Sequence, residues 1–206
     1  MQALLKLSRG VDWLNTQVGK YVVWLILAST LVSGINAIVR KVFNVSSNAY
    51  LEVQWYLFAA SFLLAAGYTL LQGEHVKVDV ISSRLSKRAQ IWIDIFGFVC
   101  FLTPFCAAVL WFGIPFFWKG YVSAEMSSNA GGLLRWPVYL MMPLGFGLLM
   151  LQGWSELIKR IAFLKGLIED PTAKKVEKTA EEELAESIRR LREAAAGNGT
   201  GATKAD

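Results

Sequence analysis

The chain has 206 residues, 54% of them hydrophobic, with a mean hydropathy of +0.41 and a formal net charge of +5. It is too apolar for an ordinary soluble domain and too short for most complete secondary transporters, so it reads as one part of a larger assembly. Its basic residues mostly flank apolar stretches, where lipid headgroups account for them, and a nucleic-acid partner is set aside.

The first element is short. Leu4, Leu5, Leu7, Val11, Trp13 and Leu14, set among polar residues, predict an N-terminal interfacial helix over residues 1–17, lying amphipathically on the membrane surface. The apolar run after it is too long for the core of a signal peptide and has no small-residue cleavage site, so it is read as a retained first span.

A membrane domain over residues 18–168 follows. Uncharged stretches between Lys20 and Arg40, Glu52 and Glu74, Asp94 and Lys119, and Arg135 and Glu156 run 19, 21, 24 and 20 residues. Each is close to the ~20 residues a helix needs to cross ~30 Å of hydrocarbon. They predict an all-α membrane protein with four transmembrane helices, over about 20–40, 50–73, 91–118 and 136–158. Lys6, Arg9, Lys20, Lys77, Arg84, Lys87, Arg88, Lys159, Arg160 and Lys165 fall on one side, against Arg40, Lys41, Lys119 and Arg135 on the other. That asymmetry places both termini in the cytoplasm. Trp24, Trp55, Trp118, Trp136 and Trp154 sit near span ends as interfacial belt residues, and Asn36 and Gln54 lie where water or headgroups can satisfy them. Cys100 and Cys106, both in the third span, read as small buried hydrophobes.

Past Ile168 the pattern changes. Val176, Ala180, Leu184, Ile188, Leu191 and Ala195 recur at helical spacing among paired charges and predict a cytoplasmic amphipathic helix over 169–196. It is either simply solvated or docked on a cytoplasmic partner. Residues 197–206 have the composition of a disordered tail.

Chemistry is sparse. There is one histidine, no carboxylate pair deep in an apolar stretch, and no HExxH, CxxC, Walker or GxSxG motif, so no catalytic, cofactor or metal site is predicted. His75, beside Glu74 at the end of the second span, is either a group titrating near neutrality or an interfacial cap. Glu52, with Gln54 and Trp55, opens the second span and has three readings: headgroup-level exposure, a bond to a neighbouring subunit, or ion coordination. No ionisable residue lies near a midplane, so the chain is read as unable to move a polar solute alone. In the loop before the fourth span, Gly131-Gly132 permits a tight turn and Pro137 suits a first helical turn. Glu125 and Arg135 either pair across that loop or meet a periplasmic protein. Ala59, Ala60, Ala65, Ala66, Gly67, Gly145 and Gly147 allow close approach of helices, and Gly67 is counted among the candidate subunit-interface residues.

Taken in order, Glu52 and Trp55, Gly73-Glu74-His75-Val76-Lys77-Val78-Asp79, Gly131-Gly132-Leu133-Leu134-Arg135-Trp136-Pro137, Met142-Pro143-Leu144-Gly145-Phe146 and Leu149-Met150-Leu151-Gln152-Gly153 resemble the small, DctQ-type membrane subunit of TRAP (tripartite ATP-independent periplasmic) transporters. The resemblance covers roughly Val11 to Lys165. It implies a scaffold subunit in the bacterial or archaeal inner membrane, beside a large permease subunit that holds the substrate and sodium sites and moves as an elevator. A periplasmic substrate-binding protein delivers an organic acid, such as a 2-oxo acid or other carboxylate. Glu52, Trp55, His75 and Asp79 match the family pattern and become subunit-interface candidates; Glu125 and Arg135, on the outer face, become docking candidates. Membrane lipids complete the expected partners. The alternative is a stand-alone tetraspan assembly or regulatory protein. A small multidrug-type exporter ranks last, because it needs a carboxylate within the first span and this one has none.

Overall fold

The computed structural model describes residues 1–44, 47–73 and 85–168. Residues 45–46, 74–84 and 169–206 lie outside that description, and with them His75, Asp79 and the segments expected as a cytoplasmic helix and tail.

Among the described residues, five α-helices and one π-helical turn make up four long apolar segments. Helix α1 is Gln2–Phe43, α2 is Asn48–Gln72, α3 is Lys87–Gly97, the π turn is Phe98–Leu102, α4 is Thr103–Val122 and α5 is Trp136–Leu164. With α3, the π turn and α4 read together as Lys87–Val122, all four segments are long and apolar enough to cross a membrane. Among the described residues there is no strand, only an isolated antiparallel bridge between Met126 and Leu134.

The helix ends follow local chemistry. Ser47 caps α2 by accepting from the Ala49 amide at 3.3 Å, and Ser86 caps α3 by accepting from the Ala89 amide at 3.4 Å. Asn44 closes α1 at φ 54° and Gly73 closes α2 at φ 71°, two residue types that tolerate the left-handed region. The third span was expected as one regular helix, and the π turn interrupts it. Pro104 has no N–H for the Cys100 carbonyl, and its ring would press on that carbonyl in a regular α-helix. Widening the turn accommodates it, with the Thr103 amide and hydroxyl both donating to the Phe98 carbonyl, the hydroxyl at 2.7 Å. Cys106 is buried but Cys100, in the widened turn, points outward, against the expectation that both would be internal.

Residues 1–17, expected as a separate surface helix, are the first part of α1, which continues without interruption to Phe43. Ser8 and Asn15 on that part are buried. Part of its polar stripe, Ser8, Asp12 and Asn15, is covered by α5, while Lys6 and Arg9 stay exposed.

Helix α5 is the hub, packing on α1, α2, α4 and the π turn, while α1 and α2 pack on each other. The bundle is polar within and apolar without. Its buried residues include Ser8, Asn15, Ser29, Glu52, Ser61, Gln152, Ser155, Glu156 and Arg160, whereas Trp24, Trp55, Phe62, Trp111 and Phe112 are exposed. In water that arrangement would be costly; in hydrocarbon, apolar surface is solvated and polar groups gather inside.

Helix α2 approaches its neighbours closely at two glycines. A Cβ on Gly145 would stand 2.6 Å from the Leu63 carbonyl oxygen, and one on Gly67 would stand 2.2 Å from Asn15 Oδ1 and 3.2 Å from the Leu148 carbonyl oxygen. Gly147, grouped with them in the sequence, faces open space. Since Gly67 is enclosed by this chain's own α1 and α5, Gly67→Leu is expected to separate the three helices within the subunit. The prediction is a lower melting temperature for the purified subunit, by several degrees. A variant that melts like wild type yet loses its partners would show instead that Gly67 serves an intersubunit contact.

Candidate functional site

Two polar constellations occupy opposite ends of the bundle. At the end where α4 turns into α5, the loop 123–135 folds as a hairpin. The Ser127 amide donates to the Leu133 carbonyl at 2.9 Å, the Arg135 amide to the Glu125 carbonyl at 2.9 Å and the Gly132 amide to the Asn129 carbonyl at 2.9 Å. Gly131 makes the reversal at φ 72°, and a Cβ on Gly132 would lie 2.5 Å from Ser127 Cβ. The doublet is therefore needed at both positions, one for its φ and one for its bareness.

Glu52 fastens this hairpin to α2. Its Oε1 accepts from the Ser127 hydroxyl and from Asn129 Nδ2 at 2.8 Å, and its Oε2 accepts from the Leu133 amide at 2.7 Å. A fourth bond runs from Asn48 Nδ2 to the Ala130 carbonyl at 3.3 Å. Only 3% of Glu52 is exposed, so its charge is compensated by donors aimed at it from the loop. Each of these three Glu52 contacts is to the chain's own 123–135 loop. One turn on, Trp55 points out of the bundle, 62% exposed.

Next to this clasp, Arg135 Nη1 and the Tyr139 hydroxyl both donate to Glu125 Oε1, at 3.2 and 3.1 Å. Glu125 and Arg135 thus pair across the loop. Both remain part-exposed, and an ion pair of that kind adds little to stability. Tyr139 is held between the Phe116 ring, at 4.4 Å, and the bare backbone of Gly120.

At the opposite end, α1 and α5 are joined by a network. Asp12 Oδ1 accepts from Gln152 Nε2 at 2.9 Å, from the Ser155 hydroxyl at 2.8 Å and from Lys159 Nζ at 2.9 Å. Asn15 Nδ2 donates to Gln152 Oε1 at 2.9 Å, and the Ser8 and Ser155 hydroxyls share a bond of 2.6 Å. Lys159 also reaches Glu156, at 2.7 Å. Arg160 ties in the third span, with Nε 2.9 Å from Asp94 Oδ2, Nη1 2.5 Å from Glu156 Oε2, and its guanidinium 4.7 Å from the centre of the Phe98 ring. Phe98 is presented there by the π turn, and Leu102 from the same turn fills the space left by Gly153.

None of these network residues was singled out as a site from the sequence, although a signal was present. Ser8, Asp12, Asn15 and Gly19 recur at intervals of three and four, as do Gln152, Ser155 and Lys159. Two polar stripes of matching length on helices otherwise bound for a bilayer need each other as partners.

A bundle with four apolar spans, its charges gathered inside and at its ends, is a multi-pass membrane protein. Residues 29–163 match the family model described as "Tripartite ATP-independent periplasmic transporters, DctQ component", more than half of the chain, and the protein belongs to that family. It is a small-subunit component of such a transporter, a family of transport components and not of enzymes. Comparison with curated proteins and with solved structures gave no significant match.

Proposed function

We propose that this chain is the fixed scaffold subunit of its transporter, against which the large permease subunit moves a carboxylate such as a 2-oxo acid in an elevator motion driven by sodium. The observation that carries this reading is the placement of its charges. The buried carboxylates Glu52 and Glu156 and the buried Arg160 are committed to partners within the chain and sit toward the ends of the spans. The apolar middle of each span keeps only uncharged residues, which suits a structural neighbour better than a pathway. A scaffold needs helices locked to one another, and the α1–α5 network and the Glu52 clasp lock both ends.

Within this reading both termini are cytoplasmic in a bacterial or archaeal inner membrane, so the hairpin 123–135 faces the periplasm. Held in one conformation by Glu52, with Glu125 and Arg135 at its base, it is placed to meet the substrate-binding protein. Trp55, outward on α2, is placed to meet the permease or lipid. His75 and Asp79 stay proposed interface residues from the family pattern alone.

The test is affinity purification of the full chain from its native membrane in mild detergent, with mass spectrometry of what accompanies it. A stoichiometric large permease is the expected result. A lone or self-associated tetraspan protein would favour the alternative, an assembly or regulatory factor.

A further inference from the structure

Beside the clasp, and away from α5, the seam between α1 and α2 opens into a cleft of about 470 Å³ lined by Ser33, Asn36, Arg40, Lys41, Asn44 and Gln54 among others. Arg40 and Lys41 are exposed, and neither has an ion-pair or hydrogen-bond partner among the described residues. Asn36 Oδ1 is buried and equally without a donor. The cleft thus offers two unneutralised cations for an anion and one orphaned acceptor that asks for an N–H or O–H.

Further along the same seam lies a second cleft, of about 370 Å³, with an apolar lining that includes Val22, Ile26, Phe58 and Phe62. Val22, Ile26, Ser33 and Arg40 follow one another on α1 at intervals of four and seven, and Leu51, Gln54, Phe58 and Phe62 on α2 at intervals of three and four. Those spacings keep each set on one helical face, so the two clefts lie in line along the groove between α1 and α2, polar at the helix ends and apolar below, with the Ser29 hydroxyl donating to the Gln54 carbonyl at 3.2 Å between them. Arg40 and Ile26 are fourteen residues apart, ~21 Å along the axis, a little more than the ~15 Å depth of one leaflet's hydrocarbon. Around the polar end, Ile35, Ile38 and Val42 face outward, at 59%, 62% and 66% exposure.

We propose that this groove holds one glycerophospholipid. Its phosphate lies between Arg40 and Lys41, the ammonium or hydroxyl of its headgroup donates to Asn36 Oδ1, and an acyl chain runs down past Phe58 and Phe62 toward Ile26. A free anion would neutralise the cations but leave the apolar half empty. An acidic protein segment would likewise have no use for the apolar half. The inference rests on the membrane-spanning fold and not on the proposed transport role.

The test is native mass spectrometry of the full chain, purified with its bound partners, counting phospholipids that survive detergent exchange. One retained phospholipid per chain is expected. In R40Q/K41Q its retention should fall about thirtyfold, from the loss of two basic contacts at the membrane surface. K119Q, which removes an exposed cation at the same end of the bundle, should retain it, and excess inorganic phosphate should not displace it. Equal retention in R40Q/K41Q and wild type would overturn the proposal. So would displacement by phosphate alone, which marks a free-anion site, or crosslinks from Arg40 and Lys41 to an acidic protein with no lipid retained. Co-purification of the permease in the same samples reads the scaffold proposal separately.

Discussion

Replacing Glu52 with Gln is expected to release the 123–135 hairpin from α2 while leaving the four spans folded. The carboxylate accepts from three donors, the Ser127 hydroxyl, the Asn129 amide group and the Leu133 backbone N–H. Glutamine keeps the shape and one acceptor, but its NH₂ group must then face at least one donor, leaving buried polar groups unpaired. The backbone turn cannot compensate, because the Ser127 and Leu133 main chains are already committed to each other. Faster hydrogen exchange should appear first at the Leu133 and Gly132 amides, with little change in α1. If the hairpin presents the docking surface, uptake should fall by more than half even though the complex still co-purifies. S127A and N129A remove one donor each and should give smaller effects in the same direction. Unchanged exchange at Leu133 in E52Q would mean that the loop is held by something else.

Glu52 also shows how far sequence could reach. Its position marked it as a residue with chemistry, since a carboxylate in the first turns of an apolar helix needs a partner. What that partner would be was hidden, because the three donors lie 75 to 81 residues away in a loop whose only local signals are a Gly doublet and a few small polar residues. The four spans were legible for the opposite reason: membrane insertion is a property of consecutive residues, and the absence of charge over about 20 positions is local information. The interruption at Phe98–Leu102 lies between these cases. Pro104 was passed over in the sequence, and a kink, a break or a widened turn would each relieve its missing N–H; the choice depends on what Phe98 and Leu102 meet on α5.

The N-terminal segment shows where the logic that worked for the spans stops, since its helix runs on into the first span as α1. Leucines on one face and polar residues on the other fit a helix at the water interface, and they fit equally well a helix whose polar face is covered by a second polar face. Only the match between Ser8, Asp12 and Asn15 on α1 and Gln152, Ser155 and Lys159 on α5 separates the two, and these partners are 137 to 147 residues apart. The consequence for the proposed scaffold is mechanical. Extending α1 beyond the bilayer and tying it to α5 gives the bundle a rigid end there, and a fixed neighbour for a moving domain requires that kind of stiffness.

Arg160 is where that rigidity is most exposed to mutation. Arg160→Met keeps much of the side-chain volume and removes the charge, which leaves Glu156 with Lys159 and Gln152 at its carboxylate and takes from Asp94 its guanidinium partner. Breaking a buried pair from one side typically costs ~3–5 kcal/mol, because the remaining charge stays in a poorly hydrated site. In detergent, R160M should unfold at clearly lower denaturant, or fail to accumulate in the membrane. Arg160→Lys is the informative comparison. It restores the charge but not the planar fork that serves Asp94 and Glu156 at once while lying 4.7 Å from the Phe98 ring centre, so it should recover only part of the loss. The triple variant R160M/E156Q/D94N, which removes both carboxylates that faced the lost guanidinium, should be more stable than R160M itself. If instead R160M unfolds like wild type, the network is an exposed decoration and the locked end of the scaffold must lie elsewhere, with Asp12 and Lys159 as the next pair to remove.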